Sequence, residues 1–194
     1  LMPAKAIRSF DALAVYFDKG RFAQLQSDLS LEKKAAEWVA SLQLKDQKTA
    51  GYVTTLIYNH LRAVRDWHND HPFTTIPEGI NPLTGSPLSE LERSLIADSA
   101  MPKEVHTKLM NGLRKSLTEE QVEAILDKYT VGKVAFTMNG YKSIVPDLTE
   151  KEEATILAHL KQAREQAIDY KSMKQISAVF EMYKNKCEAY LNNN

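Results

Sequence analysis

Side chains that recur at helical spacing are the feature that most constrains the fold of this chain. Between residues 46 and 69, one helical face collects Tyr52, Val53, Leu56, Ile57, His60, Leu61, Val64 and Trp67. A helix with such a face is stable when that face is packed against other elements. The same periodicity predicts further helices at 9–29, 31–44, 88–99, 103–115, 149–170 and 174–191, and one that begins at Thr118. The sequence therefore predicts a mainly α-helical fold, a compact bundle of about six to eight helices.

Residues 133–145 depart from the helical pattern. Residues 133–138 (KVAFTM) alternate in period two, as in a strand with one buried face. Asn139-Gly140 is a favoured pair in two-residue hairpin turns, and residues 141–145 would form the returning strand. We therefore expect one short β-hairpin at 133–145, resting on helices because a lone hairpin is only marginally stable.

Two breaks in the pattern organise the chain. Ser30 is suited to cap a helix that begins at residue 31, so we expect an N-terminal helical arm over residues 1–30 and a single helical domain over residues 31–194. Within that domain, residues 71–87 contain four prolines and two glycines, which a helix interior does not tolerate. Apolar side chains in this stretch predict an ordered surface loop that packs onto the bundle. Capping boxes at Thr118 and Thr149 predict two of the helix starts.

Charge and composition exclude several classes of protein. The 25 basic and 25 acidic residues give a formal net charge of zero, so the chain lacks the net basic character of a general nucleic-acid binder. We expect no transmembrane segment, because no apolar run approaches the roughly 20 residues that span a bilayer. The single cysteine, Cys187, excludes an internal disulfide and a Cys-rich zinc site, and its helical setting favours a buried apolar role over a reactive thiol. The first residues lack the basic-then-apolar pattern of a signal peptide.

The densest polar cluster is residues 66–71 (DWHNDH), at the end of the long predicted helix. His68 and His71 are spaced to face the same way, with Asp70 beside them, and these side chains suit zinc or another divalent metal. Helix C-termini also attract histidine through the helix dipole. We therefore expect solvated cap residues, with no metal and no cofactor. Phosphate-binding, dinucleotide-binding and nucleophile-elbow motifs are absent from the sequence, which identifies no catalytic residue.

Carbohydrate recognition uses aromatic faces that stack on sugar rings, flanked by planar polar groups. Trp67, Tyr141, Tyr129 and Tyr170 are candidate platforms, although Trp67 continues the apolar face, which favours a core position over a pocket. Trp38 lies within an apolar face and is expected in the core. The candidate ligand-binding residues are Trp67, His68, His71, Asp127, Asn139, Tyr141 and Arg164.

The C-terminal half carries an ordered set of residues that is typical of a known family. The set comprises His106, 117–123 (LTEEQVE), Asp127, Thr130, Gly132, Thr137, Tyr141, 146–149 (PDLT), 163–167 (AREQA), Phe180, Tyr183-Lys184 and Tyr190-Leu191. It resembles the bacterial family called domain of unknown function 3826, and the similarity extends back to Trp38. The resemblance implies a periplasmic or extracellular protein of polysaccharide-degrading bacteria with a sugar-binding role. It implies no catalytic residues.

Three functions follow as hypotheses. The first is an accessory protein of polysaccharide utilisation that binds a glycan or oligosaccharide without catalysis. The second is a helical periplasmic interaction or chaperone-like protein, because residues 117–121 (LTEEQ) are similar to a signature of small periplasmic stress chaperones. The third is a glycan-active enzyme that uses Asp127, or Asp70 near His68. A binding role is favoured over catalysis, and the sequence does not indicate the oligomeric state.

Overall fold

The computed structural model describes residues 19–193, except for the side chain of Lys19. These residues form a mainly helical fold with eight α-helices, which confirms the predicted class. The helices are α1 (Lys19–Ala40), α2 (Gln47–Asp70), α3 (Glu90–Ser99), α4 (Lys103–Ser116), α5 (Glu119–Tyr129), α6 (Lys133–Ile144), α7 (Glu150–Ala167) and α8 (Met173–Asn192). Most of the predicted N-terminal arm, residues 1–18, lies outside the described residues.

Within the described residues, helix α1 runs without a break through residue 30, where one predicted helix was expected to end and the next to begin. The predicted N-cap at Ser30 is wrong, because Ser30 lies inside a continuous helix. Residues 27–34 contain no proline or glycine, so nothing in the backbone forces an end there, and a serine in a helix interior can simply face solvent. Further along α1, Ala35 and Val39 are buried. Trp38 packs against the same core, with its ring centroid 4.8 Å from that of Tyr129.

Helix α2 follows the predicted pattern closely. Asp46 caps it by accepting a hydrogen bond from the backbone N–H of Lys48. The predicted face supplies its buried residues Val53, Ile57, His60 and Val64. This face packs mainly on α1 and α4, which makes α2 the central helix of the first half of the bundle.

The predicted β-hairpin at 133–145 is wrong, because residues 133–144 form helix α6. Val134 and Met138 are its buried residues, and their i, i+4 spacing fits a helix face as well as it fits a strand. Gly132 takes a left-handed conformation (φ 68°) just before the helix begins. Asn139 and Gly140 lie in the helix interior, where packing of α6 on α7 overrides their preference for turns.

The loop at 71–87 contains a 3₁₀ turn, Phe73–Thr75, and a single antiparallel bridge between Ile80 and Pro87. It is fastened to α3 by Arg93, whose guanidinium donates hydrogen bonds of 3.1 and 2.6 Å to the carbonyl oxygen of Ile76. The first part of the loop therefore packs on the bundle, with Phe73 and Ile76 half-buried. Ile80 and Leu83 are 67% and 93% exposed, so the apolar side chains of its second part do not pack there as predicted.

The core has two parts. One lies among α1, α2, α4 and α5, and the other among α6, α7 and α8. Cys187 is fully buried in the second part, as its predicted apolar role requires. Among the helices of residues 19–193, none is long and apolar enough to cross a membrane.

Candidate functional site

A pocket of about 570 Å³ opens where α3, α4, α7 and α8 approach one another. We call it the His106 pocket. Its polar and aromatic lining residues are Asp98, Ser99, Lys103, His106, Thr107, Gln162, Glu165, Gln166, Asp169, Tyr170 and Tyr183. Its volume is within the roughly 300–1,000 Å³ range of small-molecule sites.

Short connections between helices place the key side chains. Helix α3 ends at Ser99 and α4 begins at Lys103, so His106 is in the first turn of α4. Helix α7 ends at Ala167, and Asp169 lies in the short link to α8. Ile168, which precedes Asp169, is buried and anchors this link.

Asp169 joins two histidines. Its Oδ2 lies 2.7 Å from His106 Nδ1, and its Oδ1 lies 2.9 Å from Nε2 of the buried His60. The other nitrogen of His60, Nδ1, lies 3.0 Å from the hydroxyl of Tyr129. A carboxylate can only accept, so both histidines donate to Asp169, and Nδ1 of His60 pairs with the Tyr129 hydroxyl. This chain of hydrogen bonds fixes the orientations of the His60 and His106 rings.

The charges in this chain shift the pKa values of its members. The hydrogen bond to Asp169 raises the pKa of His106, and this effect outweighs the opposing effect of burial. Burial opposes ionisation of Asp169, but hydrogen bonds from His106 and His60 outweigh it and hold the pKa of that carboxyl below its usual value. Burial, reinforced by the charge of Asp169, raises the pKa of Tyr129 well above its usual value, so Tyr129 keeps its proton.

Glu165 faces the free side of His106. Its Oε1 lies 3.4 Å from His106 Nε2, near the upper limit of a hydrogen bond. Its other oxygen, Oε2, accepts a hydrogen bond of 3.3 Å from Arg114. His106 therefore has a short, fixed contact at Nδ1 and a loose contact at Nε2, where a ligand oxygen could replace Glu165.

Asp98 is a second carboxylate of the pocket and is almost entirely buried. Its Oδ2 lies 2.6 Å from His68 Nδ1 and accepts a 2.6 Å hydrogen bond from the Gln175 amide. Its Oδ1 has no hydrogen-bond partner among the side chains and backbone of residues 19–193. A buried polar atom without a partner is costly, and this oxygen is closed off from the pocket by the surrounding atoms.

The predicted histidine and tryptophan cluster is split by the fold. Trp67 donates its indole N–H to the carbonyl oxygen of Ala97, 3.0 Å away, and its ring stacks on His71 with 3.6 Å between centroids. His71 Nδ1 contacts the Trp67 carbonyl, whereas His68 contacts Asp98. His68 and His71 thus have different partners, and the described residues contain no group of three or more side chains suited to hold a metal ion.

The predicted polar pair Asp127 and Arg164 forms an ion pair away from the His106 pocket. Arg164 is buried and donates to Asp127 Oδ1 at 2.7 Å and to Glu123 Oε1 at 2.9 Å. Glu123 also pairs with Lys161 at 2.7 Å. These ion pairs join α5 to α7, so we assign Asp127 and Arg164 a role in holding the two helices together.

Asn139 and Tyr141 line a different cavity, of about 860 Å³, between α6 and the end of α8. The Tyr141 hydroxyl donates a 3.3 Å hydrogen bond to the Lys184 carbonyl. Burial raises the pKa of Tyr141 to about 12. We call this space the Tyr141 cavity.

The predicted site residues thus fall into three places, and His68 alone touches a lining residue of the His106 pocket. Sequence reasoning missed Asp98, Glu165 and Asp169 as site residues. Tyr170 was expected as an aromatic platform, and it does line this pocket. His106, Glu165 and Tyr183 had a signal too, because they are among the residues that carry the family resemblance.

Comparison with known protein families matches residues 29–194 to the family described as "Protein of unknown function (DUF3826)". A search of the curated proteins finds no match. The match covers most of the chain and begins before Trp38, so it includes the end of α1 as well as the whole of the His106 pocket. The chain therefore belongs to the family of domain of unknown function 3826.

Proposed function

We propose that this protein binds a carbohydrate in the His106 pocket. The observation that carries the proposal is the composition of the pocket wall, which combines the rings of Tyr170 and Tyr183 with carboxylate and amide side chains. Aromatic rings stack on the C–H face of a sugar, and planar polar groups bind its hydroxyls. Lys186 lies over one face of the Tyr183 ring, 4.3 Å from its centroid, so that face is not free to stack on a sugar.

The acidic groups favour a neutral or amino sugar over an anionic one. Asp98, Glu165 and Asp169 all line the pocket, and a uronate or sulfated sugar would be repelled by them. Sugar hydroxyls are donors, and the carboxylates of Glu165 and Asp169 in the pocket wall are acceptors.

Binding can be tested by calorimetry with neutral oligosaccharide fragments of plant and host polysaccharides. We expect Tyr183→Ala to weaken binding about tenfold, because aromatic contacts contribute about 1.4 kcal/mol. The matched control is Tyr52→Ala, which removes an exposed tyrosine of α2 that lines neither cavity. Binding of no fragment, or equal binding by Tyr183→Ala and wild type, would contradict the proposal.

The place of action belongs to the same proposal. We place the protein in the periplasm or outside the cell, as an accessory to polysaccharide utilisation, on the strength of what the family resemblance implies. Fractionation of the producing bacterium with a specific antibody tests this placement. Recovery of the protein in the cytoplasmic fraction would contradict it.

The Tyr141 cavity supports a second candidate, a helical interaction protein. Phe136 and Ile144 line this cavity and are 81% and 80% exposed. Exposed apolar side chains that lie together are typical of protein contact sites. If this role is correct, Phe136→Ser reduces suppression of aggregation of an unfolded client protein, and an unchanged effect would exclude the Tyr141 cavity as the contact site.

A further inference from the structure

Helix α6 carries an apolar face that the rest of the fold leaves uncovered. Phe136 and Ile144 are largely exposed, whereas Val134 and Met138 of the same helix are buried in the second part of the core. Residues 134–141 contain no charged side chain. Since a surface helix normally presents charged groups to solvent, the outward face of α6 has the composition of an interface centre, where charged residues are depleted.

Gly140 lies midway between the two exposed apolar side chains, four residues after Phe136 and four before Ile144. All three residues therefore share one face of the helix. A Cβ atom at Gly140 would meet no side chain or neighbouring element within 4 Å, so packing within the chain does not require a glycine there. Glycine disfavours a helix interior, but it allows another backbone to approach closely.

The Tyr141 cavity lies beside this face, so protruding side chains and an empty space are found together. The lining of the cavity includes Phe136, Gly140 and Ile144 on α6 and Leu191 on α8. In a two-fold symmetric pair, the same patch of both copies forms the interface, so the protruding side chains of one copy can fill the cavity of the other. The face is thus suited to contact a second copy of itself.

Antiparallel packing of α6 on α6 of a second copy, with the crossing point at Gly140, uses both exposed side chains. Residues that are equally far from the crossing point then face each other across the two-fold axis. Phe136 contacts the partner's Ile144, and by symmetry Ile144 contacts the partner's Phe136. The two glycines let the helices approach closely enough for both contacts to form.

The charged residues of the cavity suit the same arrangement. Lys184 and Glu188, both on α8, line the cavity. Lys184 contacts Glu181 at 3.4 Å, whereas Glu188 forms no salt bridge within residues 19–193. A lining with one basic and one acidic residue does not repel its own copy, and the partner's Lys184 can pair with Glu188.

We propose that two copies of this chain form a homodimer through α6, with Gly140 at the crossing point and Phe136 in contact with the partner's Ile144. This inference does not depend on carbohydrate binding, because the Tyr141 cavity shares no lining residue with the His106 pocket. The Tyr141 cavity has 12 lining residues, about half of the 20–30 that each side of a standard interface contributes. The dimer should therefore dissociate on dilution.

Sedimentation equilibrium of the full chain over about 1 μM to 1 mM measures the association. We expect the mean mass to rise from that of one chain toward that of two. Phe136→Ser should weaken dimerisation at least about tenfold, because it removes a large aromatic contact from the centre of the interface. The matched control is Leu83→Ser, which replaces an equally exposed apolar side chain of the 71–87 loop, outside the cavity, and should dimerise like the wild type.

Gly140→Ala separates the effect on the dimer from the effect on folding. In the monomer, the new methyl group meets open space and favours the helix, so the melting temperature at low concentration should be equal to or above that of the wild type. In the dimer, the methyl groups of both copies would force the two helices apart, so association should weaken at least about tenfold.

Two results would overturn the inference. The first is a wild type that stays monomeric up to about 1 mM, which would leave the Tyr141 cavity to a client protein. The second is a dimer that Phe136→Ser and Gly140→Ala do not weaken, because another surface would then hold the two copies together.

Discussion

At the scale of single residues, the pair formed by His106 and Asp169 makes the stability of the fold depend on pH. The folded pKa of Asp169 lies below 3.8 and that of His106 lies above 6.5, their ordinary values. The contribution of Asp169 to stability is therefore present above about pH 3.8 and lost as pH falls through its lowered pKa. The contribution of His106 is complete below about pH 6.5 and lost as pH rises through its raised pKa.

This linkage predicts how His106→Gln changes the free energy of unfolding. The loss of stability relative to wild type should be larger at pH 5.5 than at alkaline pH, as measured by urea denaturation, because the charged pair is lost as pH rises through the raised pKa of His106. If His106→Gln lowered the free energy of unfolding by the same amount at both pH values, the charges assigned to His106 and Asp169 would be contradicted.

At the scale of single elements, the stability of a helix depends on how its first backbone N–H groups are capped. Helices α3, α5, α7 and α8 each begin with a complete capping box. Two of these boxes, at Thr118 and Thr149, were predicted, and both are confirmed. Such motifs are read reliably because all their partners lie within four consecutive residues.

The capping boxes of α7 and α8 offer a matched comparison. Glu152 only caps α7, whereas Gln175 caps α8 and also donates to Asp98 on α3. We expect Glu152→Ala to lower the free energy of unfolding by about 1 kcal/mol. Gln175→Ala should cost roughly 2–3 kcal/mol, because it also leaves Asp98 Oδ2 with fewer partners. Equal losses in chemical denaturation would show that the bond to Asp98 contributes nothing to stability.

The approach of α2 to α4 depends on a glycine. A Cβ atom at Gly112 would overlap the side chain of Leu56 on α2. In a helix interior, alanine is more favourable than glycine by about 1 kcal/mol. Relieving the overlap with Leu56 should cost more than this gain, so we expect Gly112→Ala to lower the free energy of unfolding by about 1–2 kcal/mol. Gly51→Ala, where a Cβ meets no atom within 4 Å, is the control and should be neutral or stabilising. Stabilisation by Gly112→Ala would contradict this packing.

At the scale of the whole molecule, local patterns predicted the fold better than the site. The buried face of α2 could be predicted because all of its residues lie within one helix and recur at helical spacing. The hairpin prediction at 133–145 failed because the run is short. Its buried residues Val134 and Met138 are four positions apart, a spacing that fits both the period of a strand and the period of a helix. The site was missed because its bonds cross long stretches of chain, with 109 residues separating His60 from Asp169. Only packing of the helices brings such residues together.

A carbohydrate that binds in the His106 pocket can be detected by nitrogen NMR of the histidine side chains. Titration with a neutral oligosaccharide should move the ring signals of His106 in a saturable way and leave those of His159 in place. The His106→Gln variant assigns the signal. Saturable binding that leaves the His106 signals unmoved would contradict the account, because the sugar would then occupy another part of the molecule.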